Sequence, residues 1–274
     1  MALTAGTGPF GPRPAGTFNF TYEAPARVLY LEDSPRRVRV VVAGQTVAAS
    51  SRVKLLHETG LVPVYYFPEA DVRHDLLERA DRTTHCPFKG DASYWTIRVG
   101  DEVREDAVWS YPDPVADAPP LGGYLAFEWG AVDEWWEEAE RVRVHPRDPY
   151  HRCDVVRSDR HVVVRAGGRV IAESHRPTVL FETGLSPRFY LPQDDVEVAL
   201  LGRSERETSC PYKGTTSRYY TVDADGGLPQ DVAWVYDDPH AEVAGIAGLI
   251  AFDDEQVDVE VDGAHRGPAR TRDA

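Results

Sequence analysis

The sequence predicts a mostly β protein made of two tandem repeats, each a small antiparallel sheet assembly with one short helix. Three observations predict it. Two long segments match at a fixed spacing, apolar residues in them alternate with a period of two, and Gly- or Pro-containing turns punctuate short β-branched runs. The duplication is plainest where "HETGLVPVYYFPEADV" (57–72) lies against "FETGLSPRFYLPQDDV" (181–196), an offset of 124. "HCPFKG" (85–90) and "SCPYKG" (209–214) keep that offset. Beyond them it becomes 125, with "DAVWSYPDP" (106–114) facing "DVAWVYDDP" (231–239) and "GYLAFE" (123–128) facing "GLIAFD" (248–253). One inserted residue near "TTSRYYTV" (215–222) accounts for the step.

The elements follow in order. Residues 1–26 are rich in Gly, Pro, Thr and Ala and are expected to be a mobile segment. Repeat one is placed at 27–140 and repeat two at 160–263. Each begins with β-branched runs split by Ala-Gly, "VRVVVAGQTVAAS" (38–50) and "HVVVRAGGRVIAES" (161–174), which read as strand, tight turn, strand. "VPVYYFP" (62–68) and "PRFYLP" (187–192) are short strands closed by proline, and "ASYWTIRV" (92–99) and "GYLAFEW" (123–129) are two more. "DVRHDLLERA" (71–80) is expected to be a helix with Asp71 as N-cap, and "DVEVALLGRS" (195–204) its counterpart. The charged stretch 141–159, with two prolines, reads as a linker, and 264–274 as a disordered tail. The tryptophans of "FEWGAVDEWWEE" (127–138) have no partner in repeat two and are expected to form a contact surface between the repeats.

Composition narrows the function. With 45 Asp and Glu against 30 Lys and Arg, the net charge is −15, and no basic cluster interleaved with aromatics offsets it. Such a surface repels phosphate backbones, so nucleic acid is not an expected partner. Neither a signal peptide nor a long apolar span is evident, and an odd count of three cysteines does not make a disulfide framework. A cytoplasmic monomer without membrane contact is expected. Phosphate-binding loops and nucleophile elbows are absent, and no carboxylate pair for Mg²⁺ can be located.

The duplicated motifs carry the candidate chemistry. A thiol beside an ammonium can be activated, which makes Cys86 a candidate nucleophile near Lys89, and Cys210 its counterpart near Lys213; packing as a small apolar group stays open for both. Zinc is not expected at these frames, because each repeat offers one cysteine and the position three residues on is a lysine. No cofactor or metal is expected. His85 is Ser209 in repeat two, which argues against a Cys–His dyad. Lys89 and Lys213 recur with Glu58 and Glu182 and with Trp109 and Trp234. Either each Lys–Glu pair is a buried structural ion pair, or it lines a pocket walled by aromatic side chains. The wall candidates are Tyr94, Trp95, Trp109 and Tyr111 in repeat one, and Tyr219, Trp234 and Tyr236 in repeat two.

Taken in order, "ETG", "YYFP..DV", "T.CP[FY]KG..S.Y", "WSY.DP" and "G.LAF" resemble the bacterial domain of unknown function DUF427, which also carries a nucleotidyltransferase-like label. The resemblance implies a β-tent-like fold, similar to methionine sulfoxide reductase B and the thalidomide-binding domain of cereblon; the duplication itself leads to the expectation that the two repeats form an intramolecular pseudo-twofold dimer in place of a homodimer. It carries no mechanism. Arg218 departs from the pattern by interrupting the counterpart of "SYW". The expected function is binding of a small polar metabolite in one or both repeats. If the site is catalytic, Lys89 would be its electrostatic or acid–base group and Glu58 its partner. A scaffold in which the same residues hold the core is the competing expectation.

Overall fold

Alternation along the strands decides the architecture, because it gives the large sheet of each repeat two apolar faces. The computed structural model describes residues 8–266 apart from 12, 22, 24 and 223–229. In repeat one the strands are β1 (Leu29–Asp33), β2 (Val38–Val42), β3 (Gln45–Ser50), β4 (Lys54–Glu58), β5 (Val64–Pro68) and β6 (Leu77–Cys86). They continue with β7 (Gly90–Val99), β8 (Glu102–Ser110), β9 (Tyr124–Phe127), β10 (Glu134–Glu137) and β11 (Glu140–Val142). A seven-stranded sheet runs β1-β4-β5-β9-β8-β7-β6, and a four-stranded sheet runs β11-β10-β2-β3.

Repeat two repeats this plan. Its strands are β12 (Cys153–Arg157), β13 (Val162–Ala166), β14 (Arg169–Ser174), β15 (Thr178–Glu182), β16 (Arg188–Leu191) and β17 (Leu201–Ser204). Then come β18 (Ser209–Cys210), β19 (Gly214–Thr215), β20 (Arg218–Val222), β21 (Ala233–Val235), β22 (Ile250–Phe252), β23 (Asp258–Val261) and β24 (Ala264–Arg266). The seven-stranded order is β12-β15-β16-β22-β21-β20-β17, and the four-stranded order is β14-β13-β23-β24. All pairings are antiparallel. Where repeat one has the continuous hairpin β6–β7, repeat two has a separate pair, β18 with β19; the strand breaks at 216–217, and Arg218 resumes it opposite Val235, in the place Ser93 takes opposite Ser110.

Neighbouring residues on one strand face opposite ways. Leu55, Tyr65 and Leu125 face the four-stranded sheet and form the main core of repeat one with Val38, Val40 and Trp135. Leu56, Tyr66 and Ala126, one residue on, build a second cluster on the other face with Tyr111 and Leu121. Val179 and Leu180, Phe189 and Tyr190, and Ile250 and Ala251 divide in the same way in repeat two. Each of these clusters draws on one repeat alone.

Several expectations are corrected. The helix over 71–80 is replaced by two three-residue 3₁₀ turns, Glu69–Asp71 and His74–Leu76, followed directly by β6. The counterpart 195–204 does the same, with turns at Gln193–Asp195 and Val198–Leu200 ahead of β17. Asp71 does not cap a helix. Its carboxylate takes hydrogen bonds from Ser50 Oγ at 2.5 Å and Arg52 at 2.7 Å, as Asp195 does from Ser174 and Arg176. The β6–β7 ladder supplies more backbone pairing than a two-turn helix could, so tertiary context overrides local propensity.

The stretch 141–159, expected to be a linker, supplies the end of β11 and all of β12, leaving only about ten connecting residues. Tyr150 of this connection reaches β1, donating to Glu32 Oε2 at 2.9 Å and packing edge-on against His57. The expected disordered tail contributes β24, and its remainder, 267–274, lies outside the described residues, as do residues 1–7 of the expected mobile segment. In the described part of that segment Phe18 stacks on Phe10 and packs at a tilt against Phe20. The tryptophans of 127–138 stay with their own repeat. Trp135 is 3 % exposed in the main core, stacks parallel on Trp129 at 4.6 Å, and donates to the Trp129 carbonyl; Trp136 lies against Arg39.

The turn of "CP[FY]KG" demands its glycine. Gly90 has φ +101 and Gly214 φ +100, and a Cβ at Gly90 would lie 3.1 Å from the Asp113 carbonyl oxygen. Gly90→Ala is expected to cost roughly 2–4 kcal/mol in urea unfolding, from backbone strain together with overpacking. Gly44→Ala, at φ +72 with open space around it, should cost only about 1 kcal/mol.

Candidate functional site

In each repeat a hairpin turn and a strand end meet on the second face of the large sheet. Glu58 closes β4 and is 6 % exposed. Lys89 sits in the three-residue connection between Cys86 and Gly90, which pair across the hairpin. The ammonium of Lys89 donates to Glu58 Oε2 at 2.6 Å and lies over the Tyr111 ring at 5.5 Å. The other oxygen of Glu58 accepts from Arg27 at 2.5 Å, and that guanidinium lies over Phe88.

Repeat two reproduces the arrangement. Lys213 donates to Glu182 Oε2 at 2.5 Å, and His151 Nε2 meets Glu182 Oε1 at 2.9 Å. The His151 ring stacks on Tyr212 at 3.9 Å between centroids. Arg27 and His151 are 124 residues apart, as are Phe88 and Tyr212. Both repeats therefore clamp one buried carboxylate between the motif lysine and a second nitrogen base that rests on the motif aromatic. Sequence reading missed Arg27, His151 and the role of Phe88 and Tyr212. The signal was present in the offset, but Arg27 lay at the edge of one repeat and His151 in the supposed linker.

The other predicted residues divide cleanly. Cys86, Tyr94, Trp109 and Tyr111 share the second face of repeat one with the Glu58–Lys89 pair. Tyr94 Oη is 2.8 Å from Thr84 Oγ1 beneath the guanidinium of Arg82, and Tyr219, Thr208 and Arg206 repeat that contact. Trp95 is not part of the site: it packs on the main core and under Arg79 on the opposite face. Its neighbour Tyr94 takes the site-facing position, as alternation requires.

In repeat two the Lys213–Glu182 pair borders a cavity of about 420 Å³. Tyr190, Tyr219, Trp234 and Tyr236 supply its ring walls, and Cys210 and Tyr212 flank the lysine. Arg188, Asp253 and Glu255 add charge at its border, all three missed by the sequence reading. Arg188 lies over the Trp234 ring at 5.3 Å and donates to the Phe252 carbonyl and to Asp254, each at 2.7 Å. A larger and more open groove of about 610 Å³ runs beside the connecting stretch, with Arg141, Arg143 and Arg147 but no Trp, Tyr or Phe among the described residues of its walls.

The electrostatics of repeat two are those of a permanent ion pair. Burial opposes the charge on Glu182, but the hydrogen bond from His151 and the ammonium of Lys213 overcome it and hold its pKa at about 2 against an ordinary 4.5. Burial works equally against the Lys213 ammonium, yet Cys210 and Glu182 push its pKa above the usual lysine range. Burial raises Tyr190 to about 12 and Tyr236 further, so both walls are neutral phenols. All three cysteines are free, and burial followed by the nearby Glu182 pushes Cys153 up to about 12.

A carboxyl held low when folded contributes stability that is fully present above its unfolded pKa and is lost as pH falls through the folded value. Glu182 should therefore contribute roughly 3 kcal/mol above pH 4.5 that disappears toward pH 2. Urea unfolding at pH 6 and at pH 3 should show the loss, and Glu182→Gln should flatten that part of the slope.

The pattern of the domain of unknown function DUF427 matches residues 30–138 and again 154–263, so the chain belongs to that family as a tandem pair. No match is found among curated proteins. No helix among the described residues is long and apolar enough to cross a membrane.

Proposed function

We propose that repeat two binds a small polar metabolite, held by a carboxylate or carbonyl group against Lys213 with its body between the aromatic walls. The observation that carries this reading is the cavity of about 420 Å³ bordering the Lys213–Glu182 pair. A space of that size, with ring walls and few convergent polar groups, suits a small ligand. Lys213 keeps its proton at neutral pH, which favours a fixed positive charge over a general base. In a catalytic version of the site, Lys213 would stabilise developing negative charge on the ligand and Glu182 would hold the lysine in place. Three free thiols agree with a reducing compartment, and the chain would act in the cytoplasm as a monomer whose repeats replace two subunits.

One observation favours the competing scaffold reading: the Glu58–Lys89 pair is built in the same way and is as deeply buried, at 8 % and 12 % exposure. A thermal-shift screen of small acids and amides on the wild type, Lys213→Met and Lys89→Met separates the two. A compound that raises the melting temperature of the wild type and Lys89→Met, but not of Lys213→Met, supports the ligand site. If nothing shifts the wild type, the scaffold reading takes its place.

A further inference from the structure

We propose that His151, Cys153 and Glu182 form a binding site for a zinc-type divalent transition metal ion, present in repeat two and missing from repeat one. A sulfur, an imidazole nitrogen and a carboxylate oxygen of these residues lie within 4.8 Å of one another. The strands explain why they converge. Cys153 opens β12 and stands directly opposite Glu182 of β15 in the antiparallel register. His151 is two residues earlier, so period two brings it to the same side, and its 2.9 Å contact with Glu182 confirms the placement. The side chains are firmly held, His151 being fully buried and Glu182 8 % exposed.

The ligand set suits the ion. Nitrogen, thiolate and carboxylate donors are those zinc uses, and three protein ligands leave a fourth position for water or a bound molecule. Donors around such an ion sit about 3.3–3.8 Å apart, so no pair of the three has more than about 1 Å to close, and His151 Nε2 and Glu182 Oε1, now at 2.9 Å, would open slightly to admit it. The ion would take Glu182 Oε1, displacing the hydrogen bond of His151, while Lys213 keeps Oε2. The thiol of Cys153 would give up its proton on coordination, so that thiolate and carboxylate together balance a dication beside the lysine. Repeat one cannot do this, because the matching positions are Arg27, a cation, and Leu29, which has no donor. A second cluster has Glu173 and His175 exposed and His161 half-buried, and its imidazoles lie flat on each other at 4.2 Å; it serves as the control.

Cobalt(II) alone, titrated into the reduced full-length chain, tests the site whether or not the cavity takes a metabolite. The expected result is one equivalent bound with a near-ultraviolet thiolate-to-cobalt absorption band that zinc removes. Cys153→Leu and His151→Arg place repeat one's residues in repeat two. Each should lose the band and about tenfold or more in affinity while keeping the β circular-dichroism spectrum, and His175→Ala should keep the band. The proposal is overturned if the wild type, with its thiols shown to be reduced, gives no such band. It is equally overturned if the band survives Cys153→Leu and vanishes in Cys86→Ser or Cys210→Ser. The small-ligand reading survives either failure, since this titration contains no metabolite.

Discussion

Lys213→Met is expected to lower the stability of repeat two by roughly 3–5 kcal/mol, the cost of leaving one side of a buried ion pair uncompensated. Glu182 would then depend on His151, which is cationic only when protonated. Lys89→Met should cost less, roughly 1–3 kcal/mol, because Glu58 keeps a 2.5 Å contact with Arg27, a side chain that is always charged. Each repeat has its own cores, so unfolding of the two halves can separate, and tryptophan fluorescence alongside circular dichroism should show which half has moved. Equal losses in both would mean that the second nitrogen base contributes nothing.

Trp135→Ala is expected to destabilise repeat one by roughly 3–5 kcal/mol, through lost burial and the cavity left behind. The ring closes the core between the two sheets. Beyond Trp129 it touches Tyr65, Phe67 and Phe127, with centroids at 5.7, 6.4 and 6.4 Å. Its strand, β10, connects β2 to β11 in the four-stranded sheet. Trp136→Ala, on the half-exposed face over Arg39, should cost about 1 kcal/mol. Chemical unfolding of the two variants measures the contrast. A small effect of Trp135→Ala would show that the core collapses around the missing ring.

Much of this fold was legible because strands and duplication both leave periodic marks. Paired apolar positions such as Leu55 and Leu56, or Phe189 and Tyr190, announce a sheet buried on both faces, and the matched motifs announce that it occurs twice. The helix over 71–80 was misread because its leucine spacing suits a helix locally. Only the long-range pairing of β6 with β7, and the Ser50–Asp71 contact, decide otherwise. At the site, Glu58, Lys89, Glu182 and Lys213 were readable as recurring charges in apolar company. Arg27 and His151 were not, because their side chains differ in type while occupying one role, and each lies outside the motif blocks. Trp95 was placed wrongly for a simple reason: adjacent aromatic residues on a strand cannot both face one site.

The most direct test of the central claim is a crystallographic soak of the full chain with a mixture of small carboxylates, amides and aromatic acids. The account predicts that bound fragments gather in the cavity of repeat two, with an oxygen on the Lys213 ammonium and a planar group along Trp234 or Tyr219. Fragments that avoid this cavity and settle only in the open groove beside Arg143 and Arg147 would contradict it, and the buried Glu–Lys pairs would then be structural in both repeats.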